Sequence, residues 1–254
     1  ATRALECTED NSMMHCNLGR ALEAQDRVDE AISQYLASIK ITPDFHIAHY
    51  NLAGAYTAKG ADEKAMAHYK KALWLNPSLF KAHYNIGAYL ASQNRLDESR
   101  KRFLQVLRIR PVFMPAYIQL GTLSLLQNDE RQALLYYKKA IQLQPDQWDA
   151  CRRTAWIFAV SETDEIRDGA RAIKFALRAN ELSGGTSWLA LETLAAAYAA
   201  HKEYRQAAQM QKRALELVPV AAGEALIARM KERLELYREG KPFRGSPRRT
   251  LEYL

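Results

Sequence analysis

The stretch His49-Tyr50-Asn51-Leu52-Ala53-Gly54-Ala55-Tyr56, continuing through Ala65 and Tyr69 to Ala72-Leu73-Trp74-Leu75-Asn76-Pro77, decides the fold. Shifted by 34 residues, it meets near-copies of itself. Pro43, Pro77, Pro111 and Pro145 keep that spacing, as do Tyr35, Tyr69, Phe103 and Tyr137, and Ala31, Ala65, Ser99 and Ala133. Leu18, Leu52, Ile86 and Leu120 repeat with them. A fixed period of this length marks a solenoid, in which no unit buries its apolar face without its neighbours. Within each copy His49, Leu52, Ala53 and Tyr56 follow i, i+3, i+4, i+7 spacing, one face of a first helix. A second helix carries the stripe Val28, Ala31, Ile32, Tyr35 and Ile39. Gln25-Asp26, Lys59-Gly60, Gln93-Asn94 and Gln127-Asn128 punctuate the two. The prolines stop the second helix, since proline lacks an amide hydrogen and clashes with the preceding turn.

Small residues set how closely the helices cross. Gly19, Ala53, Gly87 and Gly121 lie on first helices, and Ala31, Ala65, Ser99 and Ala133 on second helices. The aromatic residue four places after the latter fills the adjoining space. This combination of small residues, aromatics and proline resembles the tetratricopeptide repeat over residues 12–147, with the segment from His49 through Pro77 a near-consensus copy. The resemblance implies an all-α, right-handed α-solenoid of antiparallel helix pairs. The expected organisation is a remnant second helix over 1–11, repeats over 12–45, 46–79, 80–113 and 114–147, an irregular fifth repeat over 148–187, a sixth over 188–221, a capping helix over 222–239 and a basic tail over 240–254. In the fifth repeat the acidic run Ser161-Glu162-Thr163-Asp164-Glu165 delays the second helix, and residues 161–168 are expected to be the longest and most mobile loop, anchored only by Ile166.

The chain of 254 residues is 48% apolar with a formal charge of +7. No uninterrupted apolar run reaches the length that crosses a bilayer. Cys7, Cys16 and Cys151 form no C-x-x-C pair and read as buried or half-buried thiols. His15, His49 and His83 recur at the repeat period but lie one repeat apart, too far to converge on one ion, so they read as packing residues. There is no P-loop, nucleophile elbow or dinucleotide turn. The expectation is a non-enzymatic binding module with no cofactor and no metal.

The binding face is expected on the first helices, opposite the packing stripe. In the tetratricopeptide architecture this face lines the concave groove. Asn17, Asn51, Asn85 and Gln119 form a carboxamide ladder there, able to donate to and accept from an extended backbone. Arg20, Tyr50, Lys81 and Tyr84 flank it. Arg152-Arg153 beside Trp156 is suited to receive a carboxylate or to stack on a ring; the alternative is a solvated charged turn. The expected partner is a protein or extended peptide. Nucleic acid is the weaker alternative, because the face mixes Arg20, Lys81 and Arg152 with Glu23, Asp149 and Glu192.

Both ends of the chain carry a second, weaker resemblance. Ala4-Leu5-Glu6 through His15-Cys16-Asn17-Leu18-Gly19, and Asp168-Gly169-Ala170, Thr193-Leu194-Ala195-Ala196-Ala197-Tyr198 and Arg233-Leu234-Glu235-Leu236-Tyr237-Arg238-Glu239-Gly240-Lys241-Pro242-Phe243, are similar to a bacterial family. In that family a multi-pass region resembling lipid-linked-sugar glycosyltransferases precedes a tetratricopeptide array outside the cytoplasmic membrane. The resemblance implies a substrate-recruiting domain of a larger membrane-bound glycosyltransferase at the periplasmic face. Membrane contact would then come through a preceding region or through the basic tail. Residues 1–11 match the back half of a second helix at the repeat period, so a chain cut from a longer array is expected, whose first apolar edge at Leu5 and Leu18 is a candidate dimer contact.

Overall fold

The computed structural model describes the backbone of residues 2–248 and the side chains of residues 11–248. Among these residues there are helices and turns and no strand. The chain divides into two units, Ala1–Pro111 and Val112–Leu254. The first unit holds three antiparallel pairs: α1 (Thr2–Glu23) with α2 (Val28–Ile41), α3 (His46–Ala58) with α4 (Asp62–Leu75), and α5 (Phe80–Ser92) with α6 (Leu96–Ile109). The second holds α7 (Met114–Leu126) with α8 (Glu130–Leu143), α9 (Trp148–Val160) with α10 (Gly169–Leu182), and α11 (Trp188–Ala200) with α12 (Tyr204–Leu217). A 3₁₀ turn (Val220–Ala222) and α13 (Glu224–Arg238) follow. No described helix is long and apolar enough to cross a membrane.

The periodic residues do the packing assigned to them. A Cβ on Gly19 would stand 2.5 Å from the Tyr35 ring, one on Gly87 2.9 Å from Phe103, and one on Gly121 2.5 Å from Tyr137. These aromatics are fully buried. Ser99, at an alanine place, donates to the Gly87 carbonyl at 2.7 Å. Leu52 is buried among Cys16, Leu22, Ala31 and Tyr35 of the preceding pair, and Ile86 among Ala53, Ala65 and Tyr69. Leu18 holds the same register in the first pair and is 48% exposed; the side chain of Leu5 lies outside the described residues. Asp26, Asn94 and Asn128 adopt the left-handed backbone in the turns, as Gly60 does.

The described part of 1–11, from Thr2 on, does not form a separate remnant helix. From Thr2 the backbone runs unbroken into α1. The place of the helix-stopping proline, 34 residues before Pro43, is held by Glu9, which leaves the helix free to continue. Residues 161–168 are the longest helix-to-helix connection among the described residues, but more than Ile166 holds them. Ser161 is buried and donates to Glu130 at 2.5 Å, Arg167 donates to the Ser161 carbonyl at 3.1 Å, and the Asp168 amide donates to Phe158 at 2.9 Å.

The repeating histidines are hooks. His49 donates from Nε2 to the Pro43 carbonyl at 2.9 Å, and His83 to that of Pro77 at 3.0 Å. A carbonyl only accepts, so this fixes the tautomer and leaves Nδ1 as an acceptor. His49 Nδ1 then accepts from Nδ1 of His68 at 2.9 Å. Burial pushes His68 and His83 below the ordinary histidine range, helped by His49 and Arg102 respectively. A base with a depressed folded pKa is protonated first in the unfolded chain. Stability is therefore complete above about pH 6.5 and declines as pH falls below it. The melting temperature is expected to drop between about pH 7.5 and about pH 5.5, and to drop less in His68→Gln. A flat profile in the native chain would show that these rings are not held neutral.

Candidate functional site

On the first unit, α1, α3 and α5 set Asn17, Asn51 and Asn85 at one register position. Asn17, Arg20 and Lys81 are exposed; Tyr50, Asn51, Tyr84 and Asn85 are half-buried. The amides are not simply solvated. Asn51 donates to the Cys16 sulfur at 3.2 Å, and Asn85 to the Tyr69 hydroxyl at 2.9 Å. Asn51 and Asn85 are thus each oriented by the repeat before them. Tyr50 packs against Tyr69 with ring centroids 5.8 Å apart, and Tyr84 against Phe103 at 5.4 Å. A cleft of ≈ 580 Å³ opens beside them, lined by Gly54, Thr57, Asp62, Tyr69, Asn85 and Tyr89. Burial raises the pKa of the Cys16 thiol, as it does for Cys151; Cys7 has no described side chain.

On the second unit Gln119 lies half-buried on α7 at the matching register position. Arg152, Arg153 and Trp156 lie on α9, and here the structure departs from both sequence readings. Arg152 is 4% exposed and Trp156 3%. They form neither a solvated turn nor an open receptor. The carboxylate that Arg152 and Arg153 receive is their own Asp149, at 2.8 Å and 2.7 Å. Burial works against ionisation of Asp149, but the two guanidinium groups outweigh it and hold its pKa below the usual carboxylate range.

The guanidinium that stacks on a ring here is also neither Arg152 nor Arg153. Arg233, from α13, stands 5.4 Å over Trp156 and 4.7 Å over Phe243, and the two rings are 6.2 Å apart. Arg233 is in turn ion-paired with Glu192 of α11, both nearly solvent-free. Burial pushes the Glu192 carboxyl above its ordinary range, with Arg233 and Arg152 pulling the other way. Phe243 belongs to the segment expected to be a basic tail. Its described part is packed instead: Gly245 and Pro247 are buried, and the Gly245 amide donates to the Val160 carbonyl at 3.0 Å. Gly240, at φ +71°, turns the chain back at the end of α13, a conformation that favours glycine. Glu192 was the visible signal in the sequence, an acidic residue inside an otherwise apolar helix.

A tetratricopeptide-repeat model matches residues 19–60 and 53–93, and a second one matches residues 115–147. These residues are built of tetratricopeptide repeats. Solved structures extend the likeness of these repeats over nearly the whole chain. A structure from the functional characterization of Pseudomonas aeruginosa PilF has a TM-score of 0.75 at 19% identity, over 89% of this chain and 98% of the other. The type IV pilus biogenesis factor PilW scores 0.69 at 19% identity, over 86% and 98%. YrrB, described as a TPR protein with an unusual peptide-binding site, scores 0.61 at 21% identity, over 78% and 97%. At these identities the likeness is one of fold. No curated protein sequence matches this chain.

Proposed function

We propose that this chain is a protein-interaction module that binds an extended segment of a partner protein on the first-helix faces of its repeats. On the first unit the face comprises Asn17, Arg20, Tyr50, Asn51, Lys81, Tyr84 and Asn85. On the second it comprises Gln119, whereas Arg152, Arg153 and Trp156 are engaged by Asp149 and Phe243 of the chain itself. The carrying observation is the way Asn51 and Asn85 are held. Each is fixed by a bond to the repeat before it. A fixed carboxamide loses little freedom when it meets a ligand, and preorganisation of this kind favours affinity. The Asn51 carbonyl oxygen is left to accept a peptide N–H. The half-buried Tyr50 and Tyr84 supply rigid apolar surface beside the ladder. A peptide-binding site in the similar fold of YrrB agrees with this use of the architecture.

The test begins with a peptide selected from a library against the intact chain. Asn51→Ala with Asn85→Ala is expected to weaken its binding by about 1–3 kcal/mol in calorimetry. The same pair is expected to cost only about 1–2 kcal/mol of folding stability, since a single neutral hydrogen bond is removed at each site. Unchanged affinity in the folded double variant, with loss on replacing Lys70 and Lys71 of α4, would move the site off this face.

A further inference from the structure

We infer that the aromatic clamp of the second unit is a binding site for an aromatic side chain of an extended, acidic partner segment, and that the chain's own residues Lys241–Pro247 close it. The inference rests on the proposed use of the first-helix faces and concerns regulation at the second unit. The segment already binds as a ligand would. Phe243 lies against Trp156 with the Arg233 guanidinium over both rings, and the Gly245 amide pairs with the Val160 carbonyl. Side-chain insertion combined with a main-chain bond is how extended peptides are held. The left-handed turn at Gly240 makes this a folded-back contact of one chain.

The occupant fits the clamp imperfectly. The indole Nε1 of Trp156 and the Nε of Arg233 have no acceptor, although both residues are more than nine-tenths buried. Unmet buried donors are costly and are met by an acceptor when one is offered. The charges disagree as well. Arg233 and Arg152 both act on the Glu192 carboxylate, Arg152 being paired with Asp149 as well, and the segment brings the exposed Arg244 and no carboxylate, its Lys241 being paired with Glu239 at 2.8 Å. A partner that carries an aromatic residue next to a carboxylate supplies the same ring, gives the orphaned donors an acceptor and reverses the unfavourable charge. Such a partner displaces Lys241–Pro247, which until then lowers the population of open sites.

The experiment uses the full chain and labelled synthetic peptides read by fluorescence anisotropy. The peptides correspond to residues 240–248, to the same residues with Phe243→Ala, and to the same residues with Arg244→Glu. The Phe243→Ala chain is expected to bind the first peptide roughly 10-fold or more tightly than the native chain does, because a site closed most of the time binds in proportion to its open fraction. The Arg244→Glu peptide binds tighter still, and the Phe243→Ala peptide binds neither chain. A Gly245→Pro chain, which loses the main-chain bond while keeping the ring, reproduces the gain if Phe243→Ala misfolds. Equal binding to native and opened chains would overturn the closure, and no binding to either opened chain would overturn the clamp. Asn51→Ala with Asn85→Ala should leave clamp binding unchanged. Its loss of the library-selected peptide therefore reports separately on the proposed function.

Discussion

A Glu192→Leu variant is expected to lose about 3–5 kcal/mol of stability, enough to unfold much of the second unit near physiological temperature. Glu192 and Arg233 are ion-paired with side chains 7% and 6% exposed. Removing the carboxylate strands a guanidinium between Trp156, Phe243 and the end of the array. Taking both charges away is a different experiment. A Glu192→Leu, Arg233→Met double variant keeps the apolar stem of Arg233 against the rings and leaves no unpaired charge. It is expected to recover most of the loss, because apolar replacement of a buried pair is often neutral. Thermal melts of the two single variants and the double variant check this. A single variant that melts with the native chain would mean the pair is solvated and the end of the array is open.

Gly121→Leu is expected to be comparably damaging, for a steric reason. Even a Cβ at this position would lie 2.5 Å from a carbon of the Tyr137 ring, and that ring is fully buried. The ring cannot swing away without leaving its place among Leu125, Ala133 and Ile157. Overpacking of this kind costs about 1–3 kcal/mol even where the surroundings can adjust, and here backbone and ring must both move. Pairing it with Tyr137→Ala should relieve the clash at the cost of a cavity, so the double variant should be less destabilised than the sum of the singles. Strict additivity in denaturant melts would show that the two residues do not meet.

The same pair of residues shows what was legible beforehand. Gly121 and Tyr137 recur at the repeat period, and a contact repeated in successive units leaves a mark in the sequence at every copy. The turns at Asp26, Gly60, Asn94 and Asn128 were legible for the same reason. The histidine hooks were half legible: the period singled out His49 and His83, but their partners are the carbonyls of Pro43 and Pro77, and backbone leaves no residue signature. Of the second-unit clamp only Glu192, an acidic residue in an apolar helix, left a mark in the sequence. Trp156 meets Phe243, and Glu192 meets Arg233, across separations that match no period. Arg152 and Arg153 could be picked out as a receptor for a carboxylate. That the carboxylate is Asp149, one helical turn away on the same helix, depends on burial that a single sequence does not display. The tail was misjudged because aperiodic, basic residues resemble solvated chain, and Gly240 and Phe243 act only through what they pack against.

An extended partner segment lying on the first-helix faces would perturb the backbone amides there. The most direct measurement is a map of amide chemical-shift changes in the full chain on titration with the library-selected peptide. On the first unit, the account predicts saturable changes concentrated on α1, α3 and α5 around Asn17, Tyr50, Asn51, Tyr84 and Asn85, with α4 around Lys70, Lys71 and Trp74 unmoved. Changes centred on α4, with the amides around Asn51 and Asn85 unmoved at saturation, would contradict it.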